Sequence, residues 1–149
     1  MERGAMATAN HEFNERFYTG RQRLLSYLLK LGHAIDADTA DLAAAITIRF
    51  CDSLVDYLST GHFQILERYQ PSRDEIAAFE ATTRQALAFS DQFGNGEPLK
   101  LHDFRLRLEE LAFVLDTRMD VEDEIIQRAR RKTYHGRTTN PATRQPAIA

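Results

Sequence analysis

The sequence predicts an all-α protein, an up-down antiparallel four-helix bundle built from long helices. Apolar residues recur every three to four positions over four long stretches, and no alternating strand pattern of comparable length competes with them. The stretches are joined by short segments rich in Asp, Gly, Pro and Asn, which make sequential helices antiparallel neighbours. At 149 residues the chain fits one domain that buries roughly two-thirds of its unfolded surface without disulfide or metal.

The bundle is expected over residues 11–132. Residues 1–10 read as a disordered or cloning-derived N-terminus, given the opening MERGAMA, and 133–149 as a disordered basic tail with little to bury. The first helix runs from about His11 to His33, on a stripe of Phe13, Phe17, Leu24, Leu28 and Leu31. Gly32 and the segment Asp36 to Asp38 end it and cap the next. The second spans about Thr39 to Tyr69, long enough to cross the domain, and Pro71 stops it. Ser72 with Glu75 forms a capping box that opens the third helix, through Ile76, Phe79, Leu87 and Phe93. Gly94-Asn95-Gly96-Glu97-Pro98 is a loop. The fourth helix runs from about Leu99 to Arg131, with Phe104, Leu108, Leu111, Leu115, Met119, Glu122 and Ile126 near one side.

The net charge of −3 conceals an asymmetry. Residues 1–127 hold all 22 acidic side chains and 13 basic ones, a net of −9, while the remainder carries six basic residues. Such a body repels nucleic acid, so no direct DNA binding is expected, and it attracts basic protein surfaces. The basic run Arg128 to Lys132 reads as a charged helix end complementing the helix dipole. The lone Cys51, beside Phe50, excludes an internal disulfide and reads as a small buried hydrophobe. No apolar run nears the ~20 residues of a membrane span, and no signal core is present, so a soluble cytoplasmic protein is expected, monomer favoured.

Catalytic machinery is not visible: there is no Ser/His/Asp or Cys/His grouping and no P-loop, so a non-enzyme without cofactor is expected. A metal bundle is the natural rival for four helices. His62 and Glu67, however, are i and i+5, about 140° apart around a helix, and the one His-x-x-x-Glu match is His11/Glu15 at the N-terminus.

The stretch Phe50–Glu67 breaks the rules of a purely structural helix. Its Phe50, Leu54 and Leu58 side must pack, yet Asp52, Asp56, Ser59, His62 and Glu67 crowd the same helix, and Gly61 costs about 1 kcal/mol there relative to Ala. Such local violations concentrate at functional sites. Asp56 and Glu67 lie about three turns apart on one side, with Ser59, Thr60 and Phe63 near the same line. The strip reads either as carboxylates around an exposed aromatic, suited to a partner's Arg and Lys, or as a solvated face with Phe63 turned inward. His62 reads as a hydrogen-bonded core histidine, with a contact residue second. Arg118 and Glu122, at i and i+4, can pair on a helix surface, but Glu122 falls within an apolar repeat and needs a buried partner such as Arg16 or Arg21.

The run F-C-x-x-L-V-D-Y-L-S-x-G-H-F-x-x-x-E at 50–67 resembles the Rsd/AlgQ family of anti-sigma factors. RMDVED, containing Arg118, Glu122 and Asp123, is similar to that family's R-F-x-L-E-D, although Asp120 stands where an apolar residue is common. Arg16, Phe17, Arg21, Leu24 and Leu25 are close to its R-W-x-x-x-R-x-x-L-L. The resemblance implies a protein that binds the C-terminal domain of the primary sigma factor, blocking promoter −35 recognition and access to core RNA polymerase. It implies an interface of Asp56, Phe63 and Glu67, with Arg16, Phe17 and Arg21, and with Arg118, Glu122 and Asp123; His62 and Ser59 support the groove or core. The alternatives are a metal-binding or sensing bundle, and a regulator that binds another signalling protein through the same acidic face.

Overall fold

The computed structural model describes the backbone of residues 2–97 and 99–138, and the side chains of 13–97 and 99–132. Four helices follow in order: α1 Glu2–Asp36, α2 Ala40–Arg68, α3 Arg73–Phe93 and α4 Leu101–Thr138. No strand occurs among the described residues. Helix α2 is the hub, packing against α1, α3 and α4, while α3 and α4 pack on each other. The four-helix architecture is the one the periodicity predicts.

The core is the set of stripe residues. Phe17, Leu24 and Leu31 of α1 meet Phe50, Leu54 and Ile65 of α2, Phe79 of α3, and Phe104, Leu115 and Ile125 of α4, all buried. Each contributes about 1.5–3 kcal/mol relative to an exposed position. Phe89 packs on Phe50, Phe93 and Phe104, closing the bundle beside the α3–α4 loop. Cys51 is buried there too, and burial pushes its thiol up to about 11, partly offset by a hydrogen bond with Ser90. It is a core residue rather than a nucleophile.

The helix ends show how local chemistry sets the connections. α1 continues through Gly32 and stops at a Schellman motif: the amide of Asp38 donates to Ile35 at 3.0 Å and that of Thr39 to Ala34 at 3.0 Å. Asp38 takes the left-handed conformation, φ 56°, that glycine usually fills. Thr39 caps no amide of α2; its hydroxyl instead donates to the Ala34 carbonyl. The Ser72–Glu75 capping box is present in both directions. Glu75 also binds Arg128, at 2.6 and 3.0 Å, so the start of α3 is tied to α4. Arg128 is therefore committed to an internal pair rather than to the dipole of its own helix, and Arg131 pairs with Glu124. α1 begins at Glu2 and α4 reaches Thr138, past both expected edges of the bundle, and the rest of the basic tail lies outside the described residues. Asp120 is exposed, so the departure from the family pattern there adds no buried charge. No helix among the described residues is long and apolar enough to cross a membrane.

Candidate functional site

A closed group of charges sits where α1, α2 and α4 meet. Arg118 and Glu122 are each 0 % exposed and pair at 3.1 Å through Nε and Oε2. The Arg118 guanidinium lies 3.4 Å from the centre of the Phe79 ring. Its Nη1 donates to the Phe79 carbonyl, Thr82 and Thr83 at 3.1, 3.3 and 2.6 Å, and its Nη2 reaches the Leu58 carbonyl at 3.5 Å. Glu122 accepts from the Tyr57 hydroxyl and, at 3.2 Å, from Arg21 Nη2. Arg21 completes the group by donating to Tyr57 Oη at 3.2 Å and pairing with Asp123 at 2.8 Å.

Two arginines and two carboxylates make the cluster neutral, which allows charge at this depth. Burial pushes the Glu122 carboxyl above its ordinary range, against the pull of Arg118, Tyr57 and Arg21. Burial also weakens the hold of Arg118 on its proton, opposed by Glu122. The Tyr57 phenol is pushed up, first by burial and then by Glu122, which keeps it a donor. For Arg21 burial works against the charge, but Tyr57, Glu122 and Asp123 outweigh it and its net direction is upward.

Gly61 explains itself here. A Cβ at that position would lie 3.0 Å from Glu122 Oε2, 3.3 Å from Arg118 Nη2 and 3.6 Å from Phe79 Cζ. The residue that costs helix propensity is the one that lets α2 close on the buried pair.

On the outer side of this cluster, α1 and α2 form a groove of about 380 Å³. Phe17 and Tyr57 line it from below, and Arg16, Arg23, Arg49, Asp52 and Asp56 supply its charges. Among the described residues, Asp52 and Asp56 enter no ion pair, so the groove presents free charge of both signs. Phe63, 58 % exposed, stands edge-on to His62 farther along α2, and Glu67 is exposed one turn beyond it.

The residues singled out from the sequence therefore divide into three groups. Arg16 and Asp56 come together in the groove; Phe63, Ser59 and Glu67 are exposed on α2 but do not line it. Arg21, Arg118, Glu122 and Asp123 come together inside. Of the residues expected at the interface, Phe17, Arg118 and Glu122 are buried and offer a partner almost no surface. Arg21, not Arg16, is the buried partner of Glu122. His62 is half-buried, and its Nδ1 is enclosed without a hydrogen-bond partner, unlike the bonded core histidine expected. The groove is also of mixed charge rather than acidic. Tyr57, Thr82, Thr83 and Phe79 were not visible as members of the cluster, because each reads locally as ordinary core or helix polarity. Gly61, and Glu122 within its apolar repeat, were the local signals that pointed to it. Among the described residues no group of three or more His, Cys, Asp or Glu is placed to hold a metal ion.

The fold is thus a helical bundle with a neutral buried ion cluster behind an open, charged groove between α1 and α2. The chain belongs to the Rsd/AlgQ family, regulators of the RNA polymerase sigma(70) subunit, whose model matches residues 5–130. It is similar to the Regulator of sigma D of Yersinia pseudotuberculosis, 28 % identical over 134 residues that cover 80 % of this chain and 79 % of that protein. Shorter matches join it to the proteins of the same name from Yersinia enterocolitica, 34 % identical over 92 residues, covering 52 % of this chain and 55 % of the relative, and from an Enterobacter species, 33 % over 89, covering 52 % and 54 %. No solved structure matches the chain.

Proposed function

We propose that this protein is an anti-sigma factor that captures the C-terminal domain of the primary sigma factor in the cytoplasm, without chemistry of its own. The observation that carries the reading is the α1–α2 groove, where Arg16 and Asp56, from two separate family-like stretches, meet over a Phe17 and Tyr57 floor. A domain that reads promoter DNA through a helix-turn-helix presents Arg and Lys to phosphates and base edges. The carboxylates Asp52 and Asp56, with Glu67 farther along α2, compete for those same side chains. Arg16, Arg23 and Arg49 match acidic residues beside them, and Phe63 offers an aromatic anchor on the adjoining surface. A sigma domain held there reaches neither the −35 element nor core polymerase.

The test is titration of the purified protein with the isolated C-terminal sigma domain. Asp56→Lys with Glu67→Lys is expected to weaken binding by roughly tenfold or more while helicity is unchanged. Rising salt is expected to slow association, since exposed charges steer encounter and are screened beyond about 10 Å. Wild-type affinity in the double reversal would remove these carboxylates from the interface.

A further inference from the structure

Helix α4 carries an outward face that the groove and the buried cluster leave unused. Phe113 is 75 % exposed, more than any other large apolar side chain among the described residues. Leu106, 48 % exposed, precedes it by two turns and lies on the same line. Glu109, Glu110, Asp116 and Asp120 are all exposed and flank Phe113 at i−4, i−3, i+3 and i+7, so carboxylates surround the ring on its own helix. Arg107 is the nearby cation, and it is already paired with Glu110 at 3.0 Å. Phe113 also borders a groove of about 490 Å³ between α3 and α4, with Phe89, Leu111 and Ala88 in its lining.

We propose that this α3–α4 face is a second docking surface, for a basic amphipathic helix on another protein. One apolar side chain of that helix enters the groove against Phe113, and its Lys or Arg residues meet the surrounding carboxylates. The groove runs between two helices and so accepts a third along it, the geometry by which amphipathic helices are bound. The sign of the charge selects the occupant: a second copy would set these carboxylates against their own kind, and nucleic acid is repelled for the same reason. The face belongs to α3 and α4, whereas the groove proposed for sigma belongs to α1 and α2, so the two surfaces are separable by mutation.

The probe is a labelled helical peptide of about five turns, with Leu at helical spacing and Lys elsewhere, against a scrambled peptide of the same composition. Anisotropy titration of the full chain is expected to show tighter binding of the patterned peptide. Phe113→Ala is expected to weaken it roughly tenfold, and Phe63→Ala, on α2, by less than about twofold. Equal binding of the two peptides, or sensitivity to Phe63→Ala in place of Phe113→Ala, would overturn the proposal. So would a wild-type dimer in sedimentation that Phe113→Ala dissociates, because the face would then serve self-association. The sigma domain gives the final arm: unchanged sigma binding by Phe113→Ala supports a separate surface, and its loss would make this face part of the sigma site.

Discussion

Glu122 and Asp56 are carboxylates from two stretches with the same family resemblance, and their surroundings are opposite. Glu122 is fully enclosed and takes bonds from Arg118, Tyr57 and Arg21. Asp56 is exposed at the groove and pairs with nothing among the described residues. Both belong to one arrangement: the buried group ties α1, α2 and α4 together, and the exposed group lies on the surface so held. Matching motif residues therefore fall in two environments, and burial separates them.

The contrast is broken most severely from inside. Arg118→Met leaves Glu122 short of its closest cation at zero exposure, and a loss of about 3–5 kcal/mol is expected in urea denaturation. Gly61→Ala is the milder probe. It gains about 1 kcal/mol of helix propensity but presses a methyl group on Glu122 Oε2 and Arg118 Nη2, both held by several bonds. A net loss of about 1–2 kcal/mol is expected, and a stabilised variant would show that the cluster yields.

Asp56→Lys, on the outer side, is expected to leave unfolding within about 0.5 kcal/mol of wild type while weakening sigma binding. A large loss of stability would merge the two regions into one. A modest, pH-dependent effect is expected at Glu75, whose carboxyl is held below its ordinary range by the hydrogen bonds from Arg128, despite some burial, and by the Ser72 cap. A lowered folded-state pKa gives stability that is present above the unfolded value, about 4.3, and disappears as pH falls through the folded one. Glu75→Gln should therefore cost under about 1 kcal/mol at pH 7 and progressively less in acid, when stability is followed against pH.

Local features made the frame legible. Four stripes at helical spacing, the Ser72–Glu75 box, Pro71 and the Gly94–Pro98 loop located the four helices, because periodicity and caps act over a few residues. The first helix, expected to end at about His33 with Gly32 and the segment Asp36 to Asp38 as its stop, runs on to Asp36, so that segment and not Gly32 ends it. A mid-helix glycine does not end a helix whose terminus is closed by a Schellman motif beyond it, even with Asp38 in the glycine conformation.

By itself the sequence determined the fold class, the helix order, the family and the oddness of Gly61, all of which follow from patterns along the chain. Which partners enclose the buried charges was decided only by tertiary structure. The apolar repeat around Glu122 asks for a buried partner, but the i, i+4 spacing of Arg118 and Glu122 is the same on a solvated helix as in a core. They become internal because α3 brings the Phe79 ring and two threonine hydroxyls, α1 brings Arg21, and α2 brings Tyr57 together with a residue that has no side chain in the way. Desolvating a charge demands several partners at once, and those partners lie 35 to 101 positions away in the chain.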